Sequence, residues 1–146
     1  MKYPKLISGG IHNDTRGTVK FMNDFDMSEV KRCYQITNSH IGSTRGWQGH
    51  KIEQKWFYVT HGVFKLYLVK IDSWSNPSSD LKVFEYYMNG NHPEVLYVPE
   101  GYANLIQMLS ENAQLLVYSS LTLEDAKNDQ IRFPLNEWNF KKNIIE

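Results

Sequence analysis

Two runs of strand-type residues, Lys55-Trp56-Phe57-Tyr58-Val59-Thr60 and Val63-Phe64-Lys65-Leu66-Tyr67-Leu68-Val69, meet at His61-Gly62. Aromatic and β-branched runs on either side of a short Gly-containing turn predict a β-hairpin. The same texture recurs along the chain. Residues 18–21, 32–36, 81–88, 95–98, 103–108 and 114–119 each read as a short strand. Breaks fall at Asn89-Gly90-Asn91, at Pro99 with Gly101, and at Ser110-Glu111-Asn112. Only residues 27–30 and 123–127 have helical composition, and both are short. Residues 72–80, with Ser, Asn and Pro, form a loop rather than a linker. Many short strands spaced by turns predict an all-β fold, a sandwich or barrel. No repeat or low-complexity tract divides the 146 residues, so residues 1–146 are expected to form a single domain.

Composition narrows the function. Aromatic residues make up 14% of the chain, which suits a β-rich fold with a lined cavity. Sixteen basic residues balance sixteen acidic ones, so no overall field recruits nucleic acid or a membrane surface. A local cluster of cations is still able to hold a phosphate. Cys33, the single cysteine, has no internal partner, which fits a reducing compartment. No apolar run reaches the length of a membrane span. A cytoplasmic protein is the expectation.

The richest stretch in chemistry is Thr44-Arg45-Gly46-Trp47-Gln48-Gly49-His50-Lys51. On a strand, Gln48 and His50 fall on one face. The stretch resembles the metal motif of cupins, which places two histidines at this spacing. Pro99-Glu100-Gly101-Tyr102-Ala103-Asn104 resembles a second cupin segment, with Asn104 where a further His is expected. A side-chain amide is a poor transition-metal ligand, so Gln48 and Asn104 argue for a site with no metal and no cofactor. His50 then reads as an acid–base residue. His12, His40, His61 and His92 lie near turn signals and are expected in solvent.

Within the cupins the order of segments resembles the dTDP-sugar branch, from about Gly10 to Trp138. Asp14-Thr15-Arg16-Gly17 is similar to the D-x-R-G segment of dTDP-4-dehydrorhamnose 3,5-epimerases. Ser39 to Gly46 is similar to their S-x-x-G-x-x-R-G approach, and Tyr97 to Ala103 to their aromatic-x-P-x-G-aromatic-A turn. Arg45 to Lys51 resembles the R-G-x-H-A-H-K of dTDP-sugar 3,4-ketoisomerases, departing at two positions. The resemblance implies a cupin-type jelly-roll β-barrel with very little helix, and an isomerase of the epimerase type. Its substrate would be a dTDP-4-keto-6-deoxyhexose of deoxysugar or surface-polysaccharide biosynthesis. Such chemistry removes a proton beside a ketone, stabilises the enolate and returns the proton elsewhere. The expected roles are His50 as base, Lys55 at the oxyanion and Tyr118 as acid. Arg16 and Arg45 grip the diphosphate, Gln48 and Asn104 meet the sugar in the cavity, and Trp47 and Tyr102 stack on base or sugar. The resemblance also implies a homodimer that shares a strand between subunits. Two other functions stay open, a 3,4-ketoisomerase and a cupin that binds a nucleotide sugar without turning it over.

Overall fold

The computed structural model describes residues 2–141. Its strands are β1 (Lys5–Ser8), β2 (Gly10–Asp14), β3 (Gly17–Phe21), β4 (Arg32–Ile36), β5 (Thr44–His50), β6 (Lys55–His61) and β7 (Val63–Lys70). They continue with β8 (Phe84–Asn89), β9 (Glu94–Val98), β10 (Tyr102–Met108) and β11 (Gln114–Ser119). A helical turn, α1 (Leu123–Ala126), precedes β12 (Ile131–Arg132). Two antiparallel five-stranded sheets run in the orders β1-β9-β6-β11-β4 and β12-β5-β10-β7-β8, and β2-β3 form a separate hairpin. The all-β jelly-roll expectation holds. Among the described residues no ladder joins the two large sheets, so the molecule is a sandwich with open edges rather than a closed ring of hydrogen bonds.

Strand parity decides what lies between the sheets. Phe57 and Val59 of β6, Leu115 and Val117 of β11, Leu66 and Leu68 of β7, and Ile106 of β10 all point inward into one core. Alternate residues point outward but are also covered. Trp47, Tyr67, Val69 and Leu105 pack beneath the C-terminal residues Trp138 and Phe140. Trp56, Tyr58, Val95, Leu116 and Tyr118 pack beneath Ile7, Met22 and Phe25. Burial on both faces explains why β6 and β10 read as near-continuous apolar runs rather than as clean alternation.

Four sequence expectations shift. Residues 27–30 make one turn closed by Val30 N–H to the Met27 carbonyl at 3.0 Å, too short to propagate as helix. The strand expected over residues 81–88 starts at Phe84, because Leu81 and Val83 pack on the second core instead of pairing. The turn expected at His61-Gly62 narrows to Gly62, whose φ of +75° is a glycine conformation, and His61 ends β6. β1, β2 and β12 were not expected, being short, polar or Gly-containing. His12, His40, His61 and His92 are all exposed.

Candidate active site

One end of the space between the sheets is open and polar. This cavity, about 700 Å³, is lined by Arg32, Tyr34, Arg45, Gln48, Lys55, Asn104, Ile106, Gln130 and Arg132 among others. Arg32 and Tyr34 share a face of β4 with Ile36, so the parity that sends Ile36 to the core sends these two to the cavity. Lys55 shares its face with Phe57 and Val59, which turns it inward at 5% exposure. A buried ammonium requires a partner, and Lys55 Nζ donates to Tyr34 Oη at 2.9 Å.

Arg45 and Gln48 are three apart, an odd spacing that a regular strand would place on opposite faces. A bulge resolves this. Asn104 pairs with Gln48 and Ile106 with Arg45, so Gly46 and Trp47 together oppose Leu105 alone. Gly46 is required there, because a Cβ would lie 2.6 Å from the Leu105 side chain. Gln48 and Asn104 face each other across the ladder, and Asn104 is only 4% exposed. Neither amide has a side-chain hydrogen-bond partner among the described residues.

His50 lies one inward position beyond Gln48 and is 3% exposed. Its ring does not line the cavity but sits behind the wall. Nδ1 is 2.8 Å from the Asp129 carbonyl, an acceptor only, so Nδ1 carries the hydrogen and Nε2 the lone pair. Nε2 is buried without a partner among the described residues. Burial, then the Lys55 charge, push the imidazole below its ordinary 6.5, against the opposing pull of Glu53 and Asp129. The ring is therefore neutral near pH 7, as a base must be. Asp129 also fixes the turn that follows. Its carboxylate accepts from the backbone N–H of Lys51 (2.9 Å), Ile52 (2.9 Å) and Glu53 (2.7 Å).

Glu53 is fully buried, with Oε2 bound by Arg32 Nη2 at 3.0 Å and by the Ser119 hydroxyl, and Oε1 lying 3.1 Å from His50 Nδ1. His50, Glu53 and Asp129 bring ligand-type atoms within 4.8 Å of one another. Glu53 Oε2 is held by Arg32 and Ser119, the Asp129 carboxylate by three backbone amides and His50 Nδ1 by a carbonyl. Most of the cluster is thus spent in a hydrogen-bonded network rather than in a cation cage, and only Glu53 Oε1 and His50 Nε2 stay unpartnered among the described residues. A cupin metal likewise does not fit, with amides at Gln48 and Asn104.

Of the expected site residues, Gln48, Arg45, Lys55 and Asn104 converge on the cavity and His50 lies against it. Four do not join them. Tyr118 points to the outer face of its sheet, 5.3 Å from the Phe25 ring, because it alternates with the inward Val117 and Ser119; burial raises its pKa. Trp47 sits on the bulge facing away, at 0% exposure and 5.2 Å edge-to-face from Trp138. Tyr102 points inward but lines a separate cavity of about 420 Å³ with Tyr3, Lys70 and Phe84. Arg16 is at the tip of the β2-β3 hairpin, 87% exposed and paired with Asp14 at 2.7 Å. The sequence reading missed Arg32, Tyr34, Glu53, Asp129 and Arg132. Parity with Ile36 was the available signal for Arg32 and Tyr34; the other three carry none.

No family model matches the chain. A spore coat polysaccharide biosynthesis protein of Bacillus subtilis strain 168 is 25% identical over 142 residues, 94% of this chain and 89% of that protein. A double mutant of a 3,4-ketoisomerase from Thermoanaerobacterium thermosaccharolyticum, solved with TDP, superposes with a TM-score of 0.68 at 25% identity, covering 100% of both chains. The dTDP-4-dehydrorhamnose 3,5-epimerase of Bacillus anthracis, solved with TDP and pyrophosphate, gives 0.76 at 14% identity, over 97% of this chain and 83% of that one. This chain has the fold of the dTDP-sugar cupins. Its polar cavity lies between the two sheets, with β5 and β10 supplying one wall and β4 and β6 the other.

Proposed function

We propose that this cupin is an isomerase of a nucleotide-linked 4-keto-6-deoxyhexose, an epimerase that acts by proton transfer beside the ketone. The observation that carries the reading is the placing of two proton-moving groups on opposite sheets. His50, neutral with its lone pair on Nε2, belongs to β5, and Tyr34 belongs to β4. A sugar ring held between the sheets would meet a base on one face and an acid on the other, which inversion at a carbon requires. Tyr34 replaces Tyr118 as the acid: it accepts from Lys55, which leaves its own hydrogen to give. Lys55, Gln48 and Asn104 supply donors for the enolate oxygen. Arg45 and the β12 residue Arg132 supply guanidinium groups for the diphosphate. Nε2 is covered, so a sugar carbon reaches it only as a wall side chain turns aside.

A thymidine nucleotide as carrier, a cytoplasmic location and a place in surface-polysaccharide biosynthesis go with this reading. So does a homodimer, for which the hairpin offers the exposed Ile11, Val19 and Phe21. The second reading is a 3,4-ketoisomerase, favoured by end-to-end coverage of the ketoisomerase structure. Turnover of dTDP-4-keto-6-deoxyglucose in D2O separates the outcomes. Deuterium at C3 and C5 supports the epimerase, at C3 alone the ketoisomerase, and at neither carbon only a binding protein. Loss of exchange in His50→Asn and in Tyr34→Phe, with dTDP affinity kept, is expected; exchange retained in both would rule these residues out.

A further inference from the structure

We infer that Glu53 is a positioning residue, a buried carboxylate that stabilises His50 as it takes up a proton. The inference rests on the proposed role of His50 as base and assigns the group that sustains it. Glu53 is fully buried, and every contact it makes is specific. Arg32 and the Ser119 hydroxyl hold Oε2, so the carboxylate cannot swing. Oε1 is left 3.1 Å from His50 Nδ1 and has no hydrogen-bond partner among the described residues. The Nδ1 hydrogen points instead to the Asp129 carbonyl at 2.8 Å.

A buried carboxylate oxygen without a donor is costly, and such an atom needs an explanation. A neutral His50 gives Oε1 little. An imidazolium, formed when Nε2 takes a proton, places a positive charge 3.1 Å away in a medium that screens poorly. The arrangement is thus suited to the protonated ring, the state that follows proton abstraction, and no group needs to move when the charge appears. The other charged groups around the ring are few. Lys55 on β6 opposes protonation, Asp129 favours it, and Arg32 acts through Glu53; Tyr102 lies opposite in the ladder. Lys55 and Glu53 therefore pull the imidazole in opposite directions. The turn that delivers Glu53 is held by the Asp129 carboxylate.

The test is the titration of His50 in the full-length protein by long-range proton–nitrogen NMR, with its signal assigned by comparison with His50→Asn. In Glu53→Gln the midpoint should fall below that of the parent protein. Glu53→Asp keeps the charge but draws it back by one methylene, and should give a smaller fall in the same direction. It also serves if Glu53→Gln leaves Arg32 too poorly paired to fold. With a substrate in hand, Glu53→Gln should lower kcat about 10- to 100-fold with KM within about twofold. The acid limb of its pH profile should move down together with the NMR midpoint. A midpoint unchanged or raised in a folded variant overturns the inference. Because the titration needs no turnover, it decides the coupling even if every 4-keto sugar tried proves inert, an outcome that would count against the proposed function instead.

Discussion

Removing the Asp129 carboxylate should loosen the turn between β5 and β6 more than any other single polar deletion near the site. In Asp129→Ala three backbone N–H groups lose their acceptor. A hydrogen bond to a charged group contributes about 1.5–3 kcal/mol. Lys51 and Ile52 are exposed, Ile52 at 66%, so water replaces much of what their amides lose. Glu53 is 1% exposed, and its amide, 2.7 Å from Oδ2, bears nearly the whole cost. The total comes to about 3–5 kcal/mol, or roughly 6–20 °C in Tm for a domain of this size. Asp129→Asn should fall between. Its amide oxygen can still serve Ile52 and Glu53, while its NH2 then opposes the Lys51 N–H. Urea unfolding followed by tryptophan fluorescence at pH 7.5 measures all three proteins. The predicted order of stability is Asp, Asn, Ala. A loss below about 1 kcal/mol in Asp129→Ala would mean that the three bonds do not hold the turn, and the account of how Glu53 reaches His50 would go with them.

Tyr34→Phe should cut turnover about 10²- to 10⁴-fold while Tyr118→Phe changes it less than about twofold, since only the first hydroxyl faces the cavity; steady-state rates of the pair decide it, and the reverse order would restore Tyr118 as the acid. Trp47→Ala should cost about 3–5 kcal/mol in chemical denaturation, because its fully buried ring has Trp138 for a partner, yet dTDP affinity of the folded fraction should stay within about twofold. The pH dependence of stability has a fixed sign. His50 binds its proton below 6.5 in the folded chain, so between that lower value and 6.5 the unfolded chain carries the extra proton. Stability should rise with pH through that window and level off above it, and His50→Gln should flatten the slope; a parent protein that is equally stable at pH 5.5 and 7.5 would contradict the buried neutral ring. Activity should likewise fall on the acid side with a midpoint below 6.5, read from kcat/KM against pH.

Local sequence was enough for most of the strands and for the residue types that line the site. Runs such as residues 55–60 and 114–119 are local in origin: aromatic and β-branched side chains fit a pleated surface whatever lies across it. That Gln48 and His50 share a face was legible for a similar reason, since spacing along one strand sets a common face. Asn104, on another strand, was reached only through the resemblance of its segment to a cupin motif. Which way a face points depended on packing between segments far apart in the chain. Tyr118 and Tyr34 are both tyrosines on strands, and only the packing of Val117 and Ser119 inward sends Tyr118 outward and only that of Ile36 sends Tyr34 to the cavity. Trp47 turned away through a bulge that depends on the partner strand, with Leu105 standing against Gly46. The network behind His50 joins Arg32, Glu53, Ser119 and Asp129, which lie up to 97 positions apart in the chain. No short-range pattern encodes such contacts; they arise because two sheets, each covered on its outer side, close over one polar end.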